Sequence, residues 1–227
     1  QARRCGLVHR ELAAAVTESL VEVCQTKSIP LRDAVCAAML LAVARQLPPQ
    51  NAKSVRLSCQ SYLNLRSHFQ PPVEASSMGV LESAVMSFHT IKPKTSFWDL
   101  AGNVKKQLEN TIKQGHIFSV AILFRKIVEV FLKTPETAPA TVAVNYLDLP
   151  ENQPAHLSRL NFAVGQKVYG GIFSVAVCRF QQRLFLNFVY SEPSLSPATV
   201  QQLADQVVSR LTQVSQLEPA LASIESV

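Results

Sequence analysis

The pattern of hydrophobic and polar residues is clearest near the C-terminal end, where two apolar segments flank a polar pair. Residues 170–180 and 183–190 are rich in β-branched and aromatic residues, which favour strands. Gln181 and Gln182 separate them, which predicts a β-hairpin, although this pair lacks the Asn-Gly signature that would define the register. The second arm is apolar on both faces, one formed by Leu184, Leu186, Phe188 and Tyr190 and the other by Phe185 and Val189. Such a strand is typical of the centre of a sheet covered on both sides.

A helix is predicted directly after the hairpin. Ser196 can cap its N-terminus, and Pro197 suits the first helical position. Apolar residues then recur at helical spacing at Val200, Leu203, Val207, Leu211 and Val214. We expect this stripe to pack across the sheet. We also expect residues 1–214 to form one lobe and residues 215–227 to form a loosely held tail.

The rest of the chain switches between helical and strand periods. Ser96 and Asp99 form a capping-box sequence at the start of a helix that ends near Gly115. The segment 117–132 is apolar on nearly every face, which predicts a buried helix. Two more helices are predicted at 12–23 and 31–47, and strands at 6–9, 55–65, 78–88, 140–149 and 160–164. These elements predict an α/β fold with a mixed β-sheet flanked by helices.

The composition limits the class of protein. Hydrophobic residues make up 48% of the 227 residues, and charged residues only 17%, so we expect part of the apolar surface to face a partner or another lobe. The five cysteines are odd in number and scattered, which favours buried free thiols in a reducing cytoplasm over disulfides or a zinc site. No apolar run is long enough to span a bilayer and no signal peptide is visible, so we predict a cytoplasmic location.

The net charge of +6 is unevenly distributed along the chain. Residues 1–134 hold 17 basic and 9 acidic residues, whereas residues 135–227 hold 5 and 7. This asymmetry indicates either an acidic partner, such as phosphate, an acidic protein or nucleic acid, or a solvated basic surface. Nucleic acid is the least favoured of these partners, because aromatic residues are only 7% of the chain and lie in strand-like apolar runs.

The familiar catalytic signatures are missing from the sequence. It has no Gly-rich phosphate loop, no Gly-x-Ser-x-Gly and no His-Glu-x-x-His. Cys178 lies among apolar strand residues, which favours an inert thiol over a nucleophile. The histidines are far apart and are interpreted as loop or surface residues, not metal ligands: His9, His68, His89, His116 and His156. We therefore predict neither a metal site nor a catalytic residue in this chain.

An ordered series of short motifs carries a family resemblance. Asn64-Leu-Arg66 ends a strand, Pro71-Pro72 lies in the following loop, and Met78-Gly79 leads into the next strand. The capped helix from Ser96 follows, and later the triplet Asn145-Tyr-Leu147. In this order the chain, from about Gly6 to Val214, resembles the C-terminal half of the condensation-domain and chloramphenicol-acetyltransferase-like superfamily, most of all the polyketide-associated and wax-ester-synthase-type acyltransferases.

The resemblance implies one lobe of a two-lobe fold with a reaction tunnel between the lobes. The acyl donor would be linked to coenzyme A or to the phosphopantetheine arm of a carrier protein, and the acceptor would be an alcohol or amine. The family's general base is a His in an HHxxxD motif on the N-terminal lobe, and this sequence contains no His-His pair. Asp148 also replaces the Gly of the family's Asn-Tyr-Leu-Gly, and the Asp-Phe-Gly-Trp-Gly motif is missing.

Because of these departures, and because the chain begins with Gln1 instead of Met, we expect it to be the C-terminal lobe alone, unable to transfer acyl groups without an N-terminal catalytic lobe. Arg66, Asn145 and Tyr146 are the candidate tunnel residues. Arg66 would meet an anionic group or form an ion pair that holds the crossover. Asn145 would bind substrate or satisfy nearby backbone.

Lys105, Lys106 and Lys113 are candidate docking residues for an acidic acyl carrier protein or for coenzyme A phosphates, or else form a solvated helix face. The alternative function is a non-catalytic protein-interaction module that retains the acyltransferase fold.

Overall fold

A mixed six-stranded sheet forms the centre of the computed structural model, which describes residues 3–47, 54–79, 81–134, 138–147, 149, 157, 159–165 and 170–222. The strands are β1 Arg4–Leu12, β2 Val55–Asn64, β3 Glu82–Ile91, β4 Val142–Leu147, β5 Phe173–Phe180 and β6 Arg183–Glu192. Their order across the sheet is β1-β6-β5-β4-β2-β3. The pairs β2–β4 and β4–β5 are parallel and the other neighbours antiparallel, so the mixed sheet predicted from the sequence is confirmed.

The helices are α1 Ala14–Thr26, α2 Leu31–Gln46, α3 Phe97–Lys113, α4 Ile117–Lys133 and α5 Pro197–Ala222, and a short 3₁₀ turn, η1, covers Arg66–His68. α1, α2, α3 and α5 pack against one face of the sheet. Residues 34–40 of α2 are almost completely buried there, because the small side chains of this Ala-rich segment let the helix approach the strands closely. The predicted helix-flanked sheet is therefore correct on this face.

The β5–β6 hairpin confirms the strongest sequence prediction. Phe180 pairs with Arg183, and the two glutamines between them have positive φ angles of 45° and 64°, as in a type I′ turn. Both strands are buried along nearly their whole length. Toward the helices, the Phe173 and Phe188 rings stack with centroids 5.3 Å apart.

A segment without regular secondary structure covers the opposite face of the hairpin. Leu157, Leu160 and Phe162 pack against a cluster that includes Phe185. The Asn187 amide donates to the Phe162 carbonyl over 2.8 Å, which ties this cover to β6. The strand predicted at 160–164 is therefore wrong: these residues lie over the sheet and pair with no strand of it.

The helix caps follow the sequence signals. The Ser96 hydroxyl accepts from the Asp99 amide at the start of α3, and the Ser196 hydroxyl accepts from the Thr199 amide at the start of α5 over 3.1 Å. Gly115 has a φ of 69°, which suits its place just beyond the end of α3. α5 continues to Ala222, eight residues past the boundary expected at 214, and residues 223–227 lie outside the described residues.

The prediction of a buried helix at 117–132 is wrong for most of α4. Ile117 is buried at its first turn, but the exposed fraction is 79% for Ile122 and 62% for Leu132. The sequence predicted that α4 is buried, because it is hydrophobic on every face. In the structure most of its described side chains are exposed. A smaller difference is that β3 begins at Glu82 and not at residue 78. No helix in the described ranges is both long and apolar enough to cross a membrane.

A hydrogen-bond network between β3 and α3 was also not expected; it comprises Ser87, His89, Asn103 and Gln107 and is called here the clasp. His89 is 2% exposed; its Nδ1 lies 2.8 Å from the Asn103 Oδ1, and its Nε2 lies 2.8 Å from the Ser87 hydroxyl. Asn103 Oδ1 also accepts from the Gln107 amide, so in this contact the His89 Nδ1 is the donor. The interpretation of His89 as a surface residue was wrong, since its strand parity turns it toward α3.

Gln182→Gly should raise the free energy of unfolding by about 0.5–1 kcal/mol, because a left-handed backbone is unfavourable for a residue with a Cβ and natural for Gly. Chemical denaturation measures the change. Gln202→Gly is the matched control: it places Gly in the exposed face of α5 and should lower stability by about 1 kcal/mol. A loss of stability in the turn variant would contradict the type I′ assignment.

His89 should make stability fall as the pH falls below its ordinary pKa. Burial lowers the pKa of His89 from 6.5, although the hydrogen bond with Asn103 acts in the opposite direction. The unfolded chain therefore binds a proton near pH 6.5 while the folded chain does not, so stability drops between 6.5 and the lower folded pKa, by up to about 1.4 kcal/mol per pH unit. Urea unfolding at several pH values of wild type and His89→Gln isolates this contribution.

The difference in free energy of unfolding between wild type and His89→Gln should shrink as the pH falls from 6.5 toward the lower folded pKa of His89. His116→Gln, which removes an exposed imidazole, is the control and should leave the slope as it is. Parallel pH profiles for wild type and His89→Gln would show that the clasp does not exclude the proton.

Candidate functional site

One half of the sheet face opposite the helices is partly exposed in the described part of the chain. The side chains that point away from the helices on β2, β3 and β4 form a strip, called here the open face, which comprises Arg56, Gln60, Tyr62, Met86, Phe88 and Asn145. Phe88 is 52% exposed, and the Arg56 guanidinium lies over its ring at 5.2 Å from the centroid. Tyr62 and Met86 are half-buried against Ala143 and Ile172. This is an amphipathic surface with aromatic, thioether and amide groups.

Two amide side chains on the open face have unused hydrogen-bonding capacity. The Gln60 Oε1 is buried and has no hydrogen-bond partner among the described residues, which is an unfavourable state for a carbonyl oxygen. Asn145 is half-buried and makes no side-chain hydrogen bond to a described residue. Because Ser61 pairs with Val144, continuing the register brings Asn145 level with Tyr62 on the neighbouring strand. The strip can therefore accept and donate hydrogen bonds to a ligand laid along β2 and β4.

Groups that could move a proton are scarce on this strip. Glu82, paired with Asn64, lies at its end, and partial burial raises the pKa of that carboxyl. His9 lies on β1, four strands from β2 and so about 19 Å away, with its Nδ1 2.8 Å from Asn187 Oδ1. The described open face is thus equipped to bind and orient a molecule, with one carboxyl group at its margin.

Burial keeps the Cys24 and Cys178 thiols from being activated. Burial raises the pKa of Cys24 to about 12 and also raises that of Cys178, whose Sγ donates to the Leu160 carbonyl. A protonated, buried thiol is a poor nucleophile, which agrees with the prediction for Cys178. Four cysteines are buried, but Cys5 is exposed, which corrects the expectation that all five are buried. Within the described ranges no group of side chains is arranged to hold a metal ion.

The structure separates the predicted tunnel residues. Asn145 lies on the open face, whereas Tyr146, the next residue, packs against the core on the helix side. Arg66 lies beyond the end of β2, four residues past the level of Asn145, or about 13 Å along the strand. Asn145 is thus the tunnel candidate that the structure places on the open strip, and Asp148 lies outside the described residues.

Arg66 organises the loop that leads into β3. Its guanidinium Nη2 donates to the carbonyls of Ser77 and Gly79 over 3.0 and 3.2 Å, and its own carbonyl accepts from the Val73 amide. These partners are backbone carbonyls, so the loop is held by hydrogen bonds where the sequence had suggested an ion pair. Arg66 thus has a structural role at the crossover through hydrogen bonds to the loop backbone. Its role toward an anionic ligand stays a prediction.

The three candidate docking lysines do not form one patch. The Lys105 Nζ donates to the Ser28 carbonyl over 2.7 Å and lies 3.7 Å from the Glu109 carboxylate, so it ties α3 to the α1–α2 turn. Lys106 and Lys113 are exposed, and their seven-residue spacing places them on the same side of α3. The docking prediction is therefore carried by Lys106 and Lys113.

The open face was not identified from the sequence, although a signal for it exists. β2 alternates strictly, with Arg56, Ser58, Gln60 and Tyr62 on one face and buried residues on the other. Such alternation indicates that one side of this half of the sheet lacks a covering layer.

The comparisons with known proteins agree with this architecture. The family model described as the phthiocerol/phthiodiolone dimycocerosyl transferase C-terminus matches residues 2–162. No curated protein is significantly similar to the chain in sequence.

Solved structures share the fold at low sequence identity. Polyketide synthase associated protein 5 from Mycobacterium tuberculosis is 18% identical, with a TM-score of 0.68 over 93% of this chain and 53% of that one. Trichothecene 15-O-acetyltransferase from Fusarium sporotrichioides is 14% identical, with a TM-score of 0.73 over 93% of this chain and 47% of that one. The X-domain in the complex of the X-domain and OxyB from teicoplanin biosynthesis is 17% identical, with a TM-score of 0.65 over 94% and 46%.

The chain thus spans about half the length of the structures it matches. The resemblance to condensation-domain and chloramphenicol-acetyltransferase-like proteins is confirmed, and the six-stranded sheet with its helix layer is one lobe of that fold. The chain belongs to the family of the phthiocerol/phthiodiolone dimycocerosyl transferase C-terminus.

Proposed function

We propose that this chain is the lobe of an acyltransferase that forms one wall of its reaction tunnel. An acyl group passes from a thioester of coenzyme A or of a carrier protein to an alcohol or amine. The acceptor oxygen or nitrogen forms a bond to the carbonyl carbon while its proton passes to the base. The C–S bond then breaks, and the leaving thiolate takes that proton from the base and becomes a thiol. The base is the imidazole of an HHxxxD motif on a partner N-terminal lobe, where a positioned His contributes about 10²–10⁴-fold.

The observation that carries the proposal is the open face. One side of the sheet is fully covered by helices, while the β2–β4 half of the other side exposes Phe88 and leaves the Gln60 carbonyl oxygen without a partner. A sheet face of this composition is unfavourable in water and suits a ligand channel closed by another surface.

Exposed apolar residues on α4 support a second lobe. Ile122, Leu123, Val130 and Leu132 are each more than half exposed on one helix. Ile122, Leu123 and Val130 lie on the same side of the helix, and exposed apolar surface of this kind marks a protein–protein interface. The low charged fraction of the whole chain, 17%, agrees with a lobe that buries surface against a partner.

Within the tunnel, this lobe binds and orients. The Gln60 and Asn145 amides supply a free acceptor and donors for the amide groups of a pantetheine arm or for the acceptor hydroxyl. Tyr62, Met86 and Phe88 supply an apolar floor for the acyl chain. Outside the tunnel, Lys106 and Lys113 attract an acidic carrier protein or coenzyme A phosphates. The group that transfers the proton lies on the other lobe, so this chain alone does not catalyse acyl transfer.

A non-catalytic interaction module is the second candidate. The X-domain, which shares the fold, is described in complex with another protein, OxyB. The scarcity of proton-transferring groups on the described open face favours this candidate as much as it favours a divided active site. In this version the exposed α4 and open face are docking surfaces for a protein, and no thioester is bound.

Acyl transfer is tested with this chain joined to, or bound by, an HHxxxD-bearing lobe. Release of coenzyme A thiol from acyl-CoA, and mass spectrometry of the ester or amide formed, measure the reaction. We expect no activity above background from the chain alone and activity from the two lobes together. Gln60→Ala and Asn145→Ala should each lower kcat/KM about 3- to 10-fold, as the loss of one hydrogen bond of about 1 kcal/mol implies.

Gln202→Ala, an exposed position on α5, is the matched control and should leave the rate unchanged. Absence of thiol release from a two-lobe protein with an intact HHxxxD motif would sink the enzyme proposal. Stable binding of a protein partner by that same inactive protein would then select the interaction module.

The loop-holding role of Arg66 predicts a local loss of order in Arg66→Gln. Removing the hydrogen bonds to the Ser77 and Gly79 carbonyls should lower the free energy of unfolding by about 1.5–3 kcal/mol, since hydrogen bonds from charged donors are the stronger class. Hydrogen exchange should accelerate most in residues 73–79. Arg125→Gln, at an exposed α4 position, should change neither.

Unchanged exchange in 73–79 together with weaker binding of acyl-CoA would show that Arg66 acts on the ligand and not on the loop.

A further inference from the structure

A basic cleft lies at the end of the sheet opposite Arg66, where α2 and α5 meet the beginning of β2 and the end of β3. Its volume is about 560 Å³, within the range of small-molecule sites. Its apolar wall is formed by Leu41, Ala44, Val55, Ile91 and Phe97. The cationic side chains around it include Arg45, Lys92 and Arg210. An apolar wall beside clustered positive charge is the feature that needs explaining.

The charge of this cleft is not neutralised by the described residues. Arg210 donates to the Gln213 side chain over 3.2 Å, and no described carboxylate lines the cleft. Asp205 borders the adjoining hollow beside Arg45 and Arg210, but it forms an ion pair with Arg10 at 2.7 Å. Burial and the neighbouring charge of Arg45 lower the pKa of Arg210, so the two arginines are mutually unfavourable.

The cleft lies on the helix side of the sheet and, among the described residues, meets the open face only at Arg56. Val55 and Ile91, which line the cleft, pack into the core beneath the helices, whereas the open face is formed by side chains that point away from the helices. Arg56 borders the cleft as well, but its guanidinium is engaged by the Phe88 ring on the open face. An occupant of the cleft is thus distinct from a substrate on the open face.

We propose that this cleft binds an anionic amphiphile, with a carboxylate or phosphate head held by Arg45 and Arg210 and an apolar chain lying on Leu41, Ile91 and Phe97. A head of negative charge relieves the repulsion between the two guanidinium groups, and Arg is well suited to oxyanions because of its planar pair of donors. Lys92 adds positive charge at the rim. The proposal does not depend on acyl transfer by this chain.

Isothermal titration of the full chain with decanoate and decyl phosphate tests the proposal. Both should bind saturably with one site per chain, and decanol and inorganic phosphate at least 10-fold more weakly, because one lacks the charge and the other lacks the chain. Octanoate should bind about 15-fold more weakly than decanoate, since each of the two buried CH₂ groups strengthens binding about four-fold. Tighter binding of decyl phosphate points to a phosphate ester as the natural ligand, and tighter binding of decanoate to a free fatty acid.

Arg45→Gln and Arg210→Gln should each weaken binding of decanoate at least 10-fold, while Arg125→Gln, which removes an exposed guanidinium from α4, should leave it unchanged. Thermal unfolding gives a second readout. Arg210→Gln should keep or raise the Tm of the free chain, because a like-charge repulsion is removed, and decanoate should raise the Tm of the wild type but not of the variant.

Equal binding of decanoate by wild type and Arg210→Gln, or binding of inorganic phosphate as tight as that of decyl phosphate, would overturn the proposal. So would a lower Tm of Arg210→Gln without any effect of the amphiphiles on the wild type, which would show that the arginine has a structural role only.

Discussion

Burial of the β5–β6 hairpin on both faces is the constraint that shapes this lobe. One face is closed by the helices, where Phe188 stacks on Phe173, and the other by the cover that Leu157, Leu160 and Phe162 form over Phe185. Each large apolar side chain buried in this way contributes about 1.5–3 kcal/mol, so both coverings are strongly favoured. The described part of the cover packs on β5 and β6, and Phe88 on β3 stays 52% exposed. The open face is therefore a direct consequence of where the second layer stops.

The elements predicted best are those specified by residues that are close together in the sequence. The hairpin, the Ser96 and Ser196 caps and the stripe of α5 depend on periodicity and on local hydrogen bonds, and the structure confirms each of them. What failed depends on distant parts of the molecule. The exposure of Ile122 on α4 cannot be deduced from a helix that is apolar all round, because hydrophobicity indicates a need for burial and not the partner that supplies it. The contacts of Arg66 required the path of the loop through Ser77 and Gly79.

Some of the site was within reach of the sequence. Strand parity alone places Asn145 and Tyr146 on opposite faces of β4, and the same rule turns His89 inward with Val85 and Ile91. A polar residue at an inward position needs hydrogen-bond partners. Asn103 on the facing helix is one, and Gln107, one turn further along, donates to the same Asn103 oxygen. The family resemblance identified the lobe, while the positions of its half-exposed amides required the arrangement of the strands.

The two functional candidates share a physical requirement and differ in one respect. Both need a partner surface, because Phe88 and the exposed residues of α4 are unfavourable in water. They differ in where a proton goes. The Cys24 thiol, with a pKa of about 12, and the buried Cys178 stay protonated at neutral pH, and His89 is held in a closed clasp away from the open face. Acyl transfer on this lobe therefore requires a base brought to the open face by the partner. A docking module requires only that the partner's shape and polarity match the strip from Arg56 to Asn145.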